Sequence, residues 1–271
     1  MPGLSVLFWN LNAQPLAPRV GRLAASLSAD VVILAECETT PAVVSRALNA
    51  AGASRYGLAP GCGEKLRVFT RLPAGAIQPL TQDPLEAWLG FALEAPTLPS
   101  LILFVAHLPS KLWSDTHDQL LASLELAQDI AAEERRASHS RTMVVGDLNA
   151  NPFEPSVVWA GGLHALMTKE LAAMDQRTIR KREYPVFYNP MWGVFGDTNP
   201  GQPGTFFRVS SASVNYFWNT YDQVLLRPDL MNRLGNLQIL DTDGTDSLLR
   251  DGRPDTVAGS DHLPLYFRLD W

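Results

Sequence analysis

Short apolar runs that stop at a polar residue recur along the whole of this chain, and that pattern limits its fold more than any other feature. Residues 5–9 (SVLFW) and Val31–Ala35 (VVILA) read as buried strands, because each is short, unbroken and rich in β-branched or aromatic side chains. Between them Leu16, Val20, Leu23, Ala24 and Leu27 recur at helical spacing. Thr40 reads as a helix N-cap with Pro41 at the first helical position, and Val43, Val44, Ala47, Leu48 and Ala51 share one face of that second helix. An opening of strand, helix, strand, helix is that of a layered α/β domain. Further strands are expected at Leu66–Thr70, Trp88–Leu93, 101–106, 141–145, 221–226, 237–240 and 264–269. A long helix is expected over 115–137, with Leu120, Leu124, Ala127 and Ala131 on its inner face, and a turn at 146–151. Residues 163–204 read as irregular, rich in Pro, Gly and aromatics. No repeat or linker separates these segments, so one domain over residues 1–271 is expected.

Charge and composition remove several function classes. The 22 basic residues against 28 acidic ones leave a net charge of −6, the wrong sign for a protein that grips nucleic acid chiefly through a basic surface. An enzyme that meets phosphates through bound metal ions is compatible with it, because metal-binding carboxylates are themselves acidic. No run approaches the ~18 apolar residues of a membrane span, and MPGLSVLFWNLN at the start lacks the basic region and cleavage site of a signal peptide. Cys37 and Cys62 are too few for a disulfide framework and lack metal-site spacing. A reducing cytoplasm, no membrane and a monomer are the expectations.

The chemistry falls at strand ends. Asn10 and Asn12 follow SVLFW, Glu36 follows VVILA, His107 follows LILFVA, Asp147 and Asn149 follow TMVVG, and Asp261 and His262 precede the last strand. In layered α/β proteins such ends line one rim, where ligands bind. Each residue alone has a plain reading: Asn10 and Asn12 as turn residues, His107 as a satisfied histidine near the core, Asp147 as a turn acid. Together, Glu36 and Asp261 with neighbouring Asn and Asp oxygens make a hard oxygen-donor set. That set suits Mg²⁺ or Mn²⁺ rather than zinc, which prefers nitrogen and sulfur. Histidines beside carboxylates can donate hydrogen bonds or move protons near neutral pH. Such a group fits attack of a metal-organised water on a phosphate ester.

Six segments in order, WNLN (9–12), LAECE (34–38), AHLPSK (106–111), GDLNANP (146–152), YDQVL (221–225) and SDHLPL (260–265), resemble the endonuclease/exonuclease/phosphatase family. The resemblance spans nearly the whole chain. It implies a four-layer α/β sandwich, two central mixed sheets flanked by helices, with the site at one end. It implies Glu36 as the main metal carboxylate, with Asp261, Asn12 and Asn10 at the metal, and Mg²⁺ or Mn²⁺ as cofactor. It further implies that Asp147 orients or deprotonates the water, that Asn149 binds phosphate, and that His262, oriented by Asp222, contacts the scissile phosphate. His107 matches a histidine near the phosphate or leaving group. One region departs from the family pattern: EKLRVFTR (64–71) stands where many members carry a strand ending in a basic residue, so no catalytic role passes to Arg67 or Arg71.

Two features remain beside the motifs. Arg177, Arg180, Lys181 and Arg182 form the densest basic cluster, read either as a solvated helix face or as a contact to substrate phosphate, with Lys111, Arg180 and Arg182 as the candidate substrate contacts. The aromatics of 184–197, Trp192 among them, either pin a loop or stack unpaired bases. The leading expectation is a divalent-metal-dependent phosphodiesterase acting on DNA or RNA. Its rivals are a phosphatase or phospholipase of the same fold, of inositol-phosphate or sphingomyelinase type, and a catalytically dead protein-binding scaffold. Against the scaffold stand the intact Glu36, Asp147, Asn149, Asp222, Asp261 and His262.

Overall fold

The structure, a computed structural model, describes residues 2–50, 55–111, 115–198 and 201–271. Strands are numbered in chain order. The first of two sheets has six strands in the spatial order β16 (Leu234–Ile239), β19 (Leu265–Asp270), β1 (Gly3–Asn10), β2 (Val31–Ala35), β4 (Leu66–Thr70) and β3 (Gly57–Leu58). The second has seven, in the order β5 (Ile77–Gln82), β6 (Trp88–Leu93), β7 (Leu101–His107), β8 (Thr142–Asp147), β15 (Asp222–Leu226), β12 (Phe187–Tyr188) and β9 (Ala165–Leu166). Three short hairpins stand apart: β10 (Gln176–Ile179) with β11 (Arg182–Pro185), β13 (Phe206–Phe207) with β14 (Trp218–Asn219), and β17 (Leu249–Arg250) with β18 (Arg253–Pro254). Both large sheets are mixed: β1 runs parallel to β2 and antiparallel to β19, and β8 runs parallel to β7 and antiparallel to β15.

Strand alternation builds four layers. Leu4, Val6 and Phe8 of β1 point into a core shared with Leu103 and Val105 of β7 and Met143 and Val145 of β8, so the two sheets pack face to face. Leu7 and Trp9 point the other way, onto helix α1 (Ala17–Ser26) and helix α2 (Pro41–Ala50). On the outer face of the second sheet, Phe104 and Val144 meet Ala122, Leu126 and Ile130 of helix α3 (Thr116–Ala137). Burial on both faces is why these strands read as unbroken apolar runs. Among the described residues no helix is long and apolar enough to cross a membrane.

Four expectations need correction. The buried stripe of α3 is Gln119, Ala122, Ser123, Leu126, Ile130 and Glu133, so the helix is turned about one residue from the expected face, and Leu120, Leu124, Ala127 and Ala131 are only half-buried. Polar residues take the inner positions because they have partners there. Gln119 Nε2 donates to the carbonyls of Pro109 and Asn149, and Ser123 Oγ to that of Ser156. The basic cluster is no helix face; it forms the β10–β11 hairpin, within a stretch expected to be irregular. In α2, Val44 and Leu48 are buried whereas Val43 is 37 % exposed, and Ala51 lies outside the described residues. Strand β16 also starts three residues before the expected 237.

The β7–β8 pairing brings the polar strand ends into register and tolerates no side chain at Gly146. A Cβ there would lie 1.8 Å from the carbonyl oxygen of Ala106 on the parallel neighbour. Gly146→Ala is therefore expected to destabilise the fold by about 1–3 kcal/mol or more, as overpacking against backbone does. Thermal melting checks it; an unchanged midpoint would contradict the packing.

Candidate active site

Registers across both sheets bring the polar strand ends to one rim. Asn10 is level with Ala35, the residue before Glu36. Asp147 is level with His107 on one side and Asp222 on the other. The sheets join at this rim through Asn10, whose Nδ2 donates to Glu36 Oε1 at 3.2 Å and to Asp147 Oδ2 at 3.0 Å. Its Oδ1 accepts the Asn12 N–H at 2.9 Å. The SDH segment is stapled on by Ser260, whose Oγ donates to the Asn10 carbonyl and accepts the His262 N–H.

A cavity of about 530 Å³ opens over this rim, and Asn12, Glu36, His107, Asp147, Asn149, Asp261 and His262 all line it. Asn12, Glu36 and Asn149 have φ of 46°, 47° and 49°. Left-handed backbone at non-glycine residues carries strain that folds retain mostly at functional sites. Asn10 is buried behind the cavity and braces the carboxylates through its amide nitrogen.

The electrostatics divide the site into two halves. His107 Nε2 lies 3.2 Å from Glu36 Oε1. That hydrogen bond, helped by Asn10, holds the Glu36 carboxyl down at about 2 against the opposing effect of burial. Burial, with the charge of Glu36 added, pushes Asp261 up. Burial would pull His107 down, but Glu36 and Asp147 outweigh it and raise the imidazole. In the other half, His262 Nδ1 donates to Asp222 at 2.8 Å, and its Nε2 lies 3.8 Å from Asp147 Oδ2. Burial opposes the imidazolium, yet Asp222, Asp147 and Asp261 together push His262 up to about 10. Asp147, Asp222 and His262 offer ligand atoms all within 4.8 Å of one another.

The raised His262 fixes a pH dependence. A folded value of about 10 above the ordinary 6.5 adds stability that is fully present below pH 6.5 and is lost as pH rises toward 10. The metal-free protein is expected to lose more melting temperature across that interval than His262→Gln does; equal losses would contradict the buried imidazolium.

Beneath the cavity lies a buried amide network, of which Asn151 falls in the GDLNANP motif and Gln223 in the YDQVL motif. Asn151 bonds Glu154, Asn219 and the Thr220 N–H, while Gln223 donates to the carbonyls of Ala150 and Thr220 and accepts from Asn189. The cavity wall adds residues that sequence reasoning missed: Lys65, Arg208, Phe206 and Tyr221. Phe206 stacks on Tyr221 at 5.2 Å and packs against the His262 ring at 4.7 Å. Lys111 lines the mouth, gripped by Glu154 and set 5.2 Å from the centre of the Tyr221 ring. The remaining candidates are elsewhere. Arg180 and Arg182 belong to the β10–β11 hairpin and do not line this cavity. Trp192 sits in a 3-10 turn (Pro190–Val194) and packs 6.3 Å from Phe153, in a cluster with Phe195 and Tyr216.

Comparison with known proteins follows the same lines. No curated protein matches the chain in sequence. Among solved structures, TDP2 of D. rerio complexed with single-strand DNA product superposes with a TM-score of 0.61 at 16% identity, covering 100% of both chains. An endonuclease/exonuclease/phosphatase family protein of Bacteroides thetaiotaomicron gives 0.59 at 13% identity, over 99% of this chain and 95% of that one. The 3′ phosphatase NExo from Neisseria, bound to product DNA hairpin, gives 0.57 at 16% identity, over 99% and 100%. At such identities these likenesses show the fold, the α/β sandwich of two mixed sheets with helices outside. The sequence model described as Endonuclease/Exonuclease/phosphatase family matches residues 7–262. With that match over nearly its whole length, the chain belongs to the endonuclease/exonuclease/phosphatase family.

Proposed function

We propose that this chain, working as a single domain, is a divalent-metal-dependent phosphodiesterase whose substrate is a polynucleotide. One observation carries the reading: a single cavity combines the carboxylates Glu36, Asp147 and Asp261 with two histidines, and the cations Lys65, Lys111 and Arg208 also line it. Carboxylates alone would repel a phosphate; carboxylates arranged for a cation, with ammonium and guanidinium groups around them, attract one.

The donor set fits Mg²⁺ or Mn²⁺. Glu36 is ionised and lines the cavity, and its charge adds to the burial that raises Asp261, as a second carboxylate nearby does. Glu36 and Asp261, with Asn12 beside them, would hold the ion. Asp147, Asp222 and His262 are the rival set, but both Asp222 oxygens lie within 3.1 Å of His262 Nδ1 and that carboxylate is fully buried. A direct hydrogen bond already occupies the space a cation would need there. When bound, the ion polarises the phosphoryl oxygens and neutralises charge that develops on them.

The chain's own groups do the rest. Asp147 Oδ2 accepts the proton of the attacking water. His262, its Nδ1 locked on Asp222, presents Nε2–H to a non-bridging phosphate oxygen, where charge grows in the transition state. Asn149 spends one amide N–H on the Leu108 carbonyl and has the other for phosphate. His107 holds Glu36 in place.

The test is a substrate panel with Mg²⁺ or Mn²⁺: plasmid, single-stranded DNA, RNA, abasic duplex, a 5′-tyrosyl end, an inositol phosphate, sphingomyelin and bis-p-nitrophenyl phosphate. Turnover of a polynucleotide well above that of the small diester, with none of the inositol phosphate or lipid, is expected. The reverse preference would replace this reading with the phosphatase or phospholipase one.

A further inference from the structure

We propose that the cleft between the β10–β11 hairpin and Trp159 is a second contact for single-stranded polynucleotide, away from the reacting phosphate. The inference rests on the reading of the chain as a nuclease. The hairpin register pairs Arg177 with Tyr184 and Ile179 with Arg182, which puts these four side chains on one face. Arg177, Ile179 and Tyr184 line a cavity of about 360 Å³ whose opposite wall is Val158, Trp159 and Gly161.

Four observations point to the occupant. First, the floor is aromatic. The Trp159 indole lies so close over Gly161 that a Cβ there would sit 2.5 Å from the ring, and the residue is still 42 % exposed. Glycine thus seats one face of the ring and leaves surface open for stacking. Secondly, the hairpin side is cationic: Arg177 lines the cleft, Arg182 shares its face of the hairpin, and Arg180 and Lys181 form the turn beside them. Among the described residues, no ion pair involves Arg177, Arg180, Lys181 or Arg182, although the chain as a whole carries −6. Four adjacent cations that repel one another and lack carboxylate partners fit an anionic ligand. Thirdly, Arg180 and Lys181 form the hairpin turn with φ of 48° and 65°, a conformation that Asn-Gly adopts without strain and long side chains do not. Cations held at a strained turn are a feature to relate to function. Fourthly, the chain joins the cleft to the rim of the active-site cavity over a few residues. One short helix, α4 (Pro155–Val158), runs from Glu154, which grips Lys111 at the cavity mouth, to Trp159 in the cleft. Cations flanking an aromatic platform are how proteins bind unpaired strands without reading sequence. An acidic peptide would use the cations and leave the indole idle.

The experiment measures binding of a fluorescent, phosphorothioate-linked (dT)20 to the full chain with Mg²⁺, as a function of salt. Arg177→Ala/Arg182→Ala is expected to weaken binding about tenfold at moderate salt and to flatten the log–log salt slope by roughly 1.4, the loss of two phosphate contacts on a single strand. Trp159→Ala is expected to weaken binding by about five- to tenfold through lost stacking, and Trp159→Phe to restore most of it. Hydrolysis of bis-p-nitrophenyl phosphate, too small to reach the cleft, stays at the wild-type rate in all three. Unchanged affinity and slope in correctly melting variants would overturn the proposal, and so would displacement of (dT)20 by polyglutamate as readily as by unlabelled (dT)20. A chain that hydrolyses no phosphodiester yet binds (dT)20 in this variant-sensitive way would sustain the subsite and remove the active-site reading. Hydrolysis of polynucleotide with cleft variants that bind normally would do the opposite.

Discussion

Glu36→Ala is expected to abolish Mg²⁺-dependent turnover, a fall of about a thousandfold or more, because a bound divalent cation supplies several kcal/mol of charge stabilisation in phosphoryl transfer. The same variant, free of metal, is expected to melt close to the wild-type temperature. Glu36 occupies a left-handed backbone position at the rim, and its side chain is 39% exposed. Removing it loses the His107 contact but also removes a charge that adds to burial in pushing Asp261 up. Steady-state kinetics, Mg²⁺ titration calorimetry and melting in EDTA separate the two effects. Substantial turnover by Glu36→Ala would place the cation elsewhere, with the Asp147, Asp222 and His262 group as the alternative.

The second large effect concerns the buried histidine. His262→Ala and Asp147→Asn are each expected to lower kcat by about 10²–10³ and to leave KM nearly unchanged, as loss of a transition-state contact or of a proton acceptor does. Asp222 touches His262 and does not line the cavity, so it acts by positioning. Asp222→Asn is therefore expected to lower kcat through His262, and the Asp222→Asn/His262→Ala double variant to be scarcely slower than His262→Ala alone. Full additivity in that cycle would show that Asp222 works independently of His262.

Much of this site was legible because local pattern and function coincide. A run buried on both faces is apolar throughout, so its end is sharply marked, and Asn10, Glu36, His107 and Asp147 stand at such ends. What escaped depends on contacts between distant segments. Gln119, Ser123 and Glu133 look like solvent-facing residues of α3, and only the carbonyls of Pro109, Asn149 and Ser156 draw the first two inward. Strand β5 went unmarked because it is an edge strand, mostly exposed, with Pro79 inside it and a register irregularity beside it. The β10–β11 turn carries Arg180-Lys181 where a hairpin signal would be Asn-Gly, so its cations read as a helix face. Lys65 and Arg208 sit outside the motifs of the rim, and no spacing in the chain links them to the cavity they line.

The central claim is that the cavity carrying Glu36, Asp147 and His262 hydrolyses phosphodiesters with a divalent cation. The direct measurement is the initial rate on a 5′-labelled single-stranded oligonucleotide, using EDTA-stripped protein titrated with Mg²⁺ or Mn²⁺, for wild type beside Asp147→Asn. No rate without metal, a saturable rise in wild type and essentially none in Asp147→Asn is the predicted result. Cleavage that persists in EDTA, or that Asp147→Asn performs as well as wild type, would contradict it.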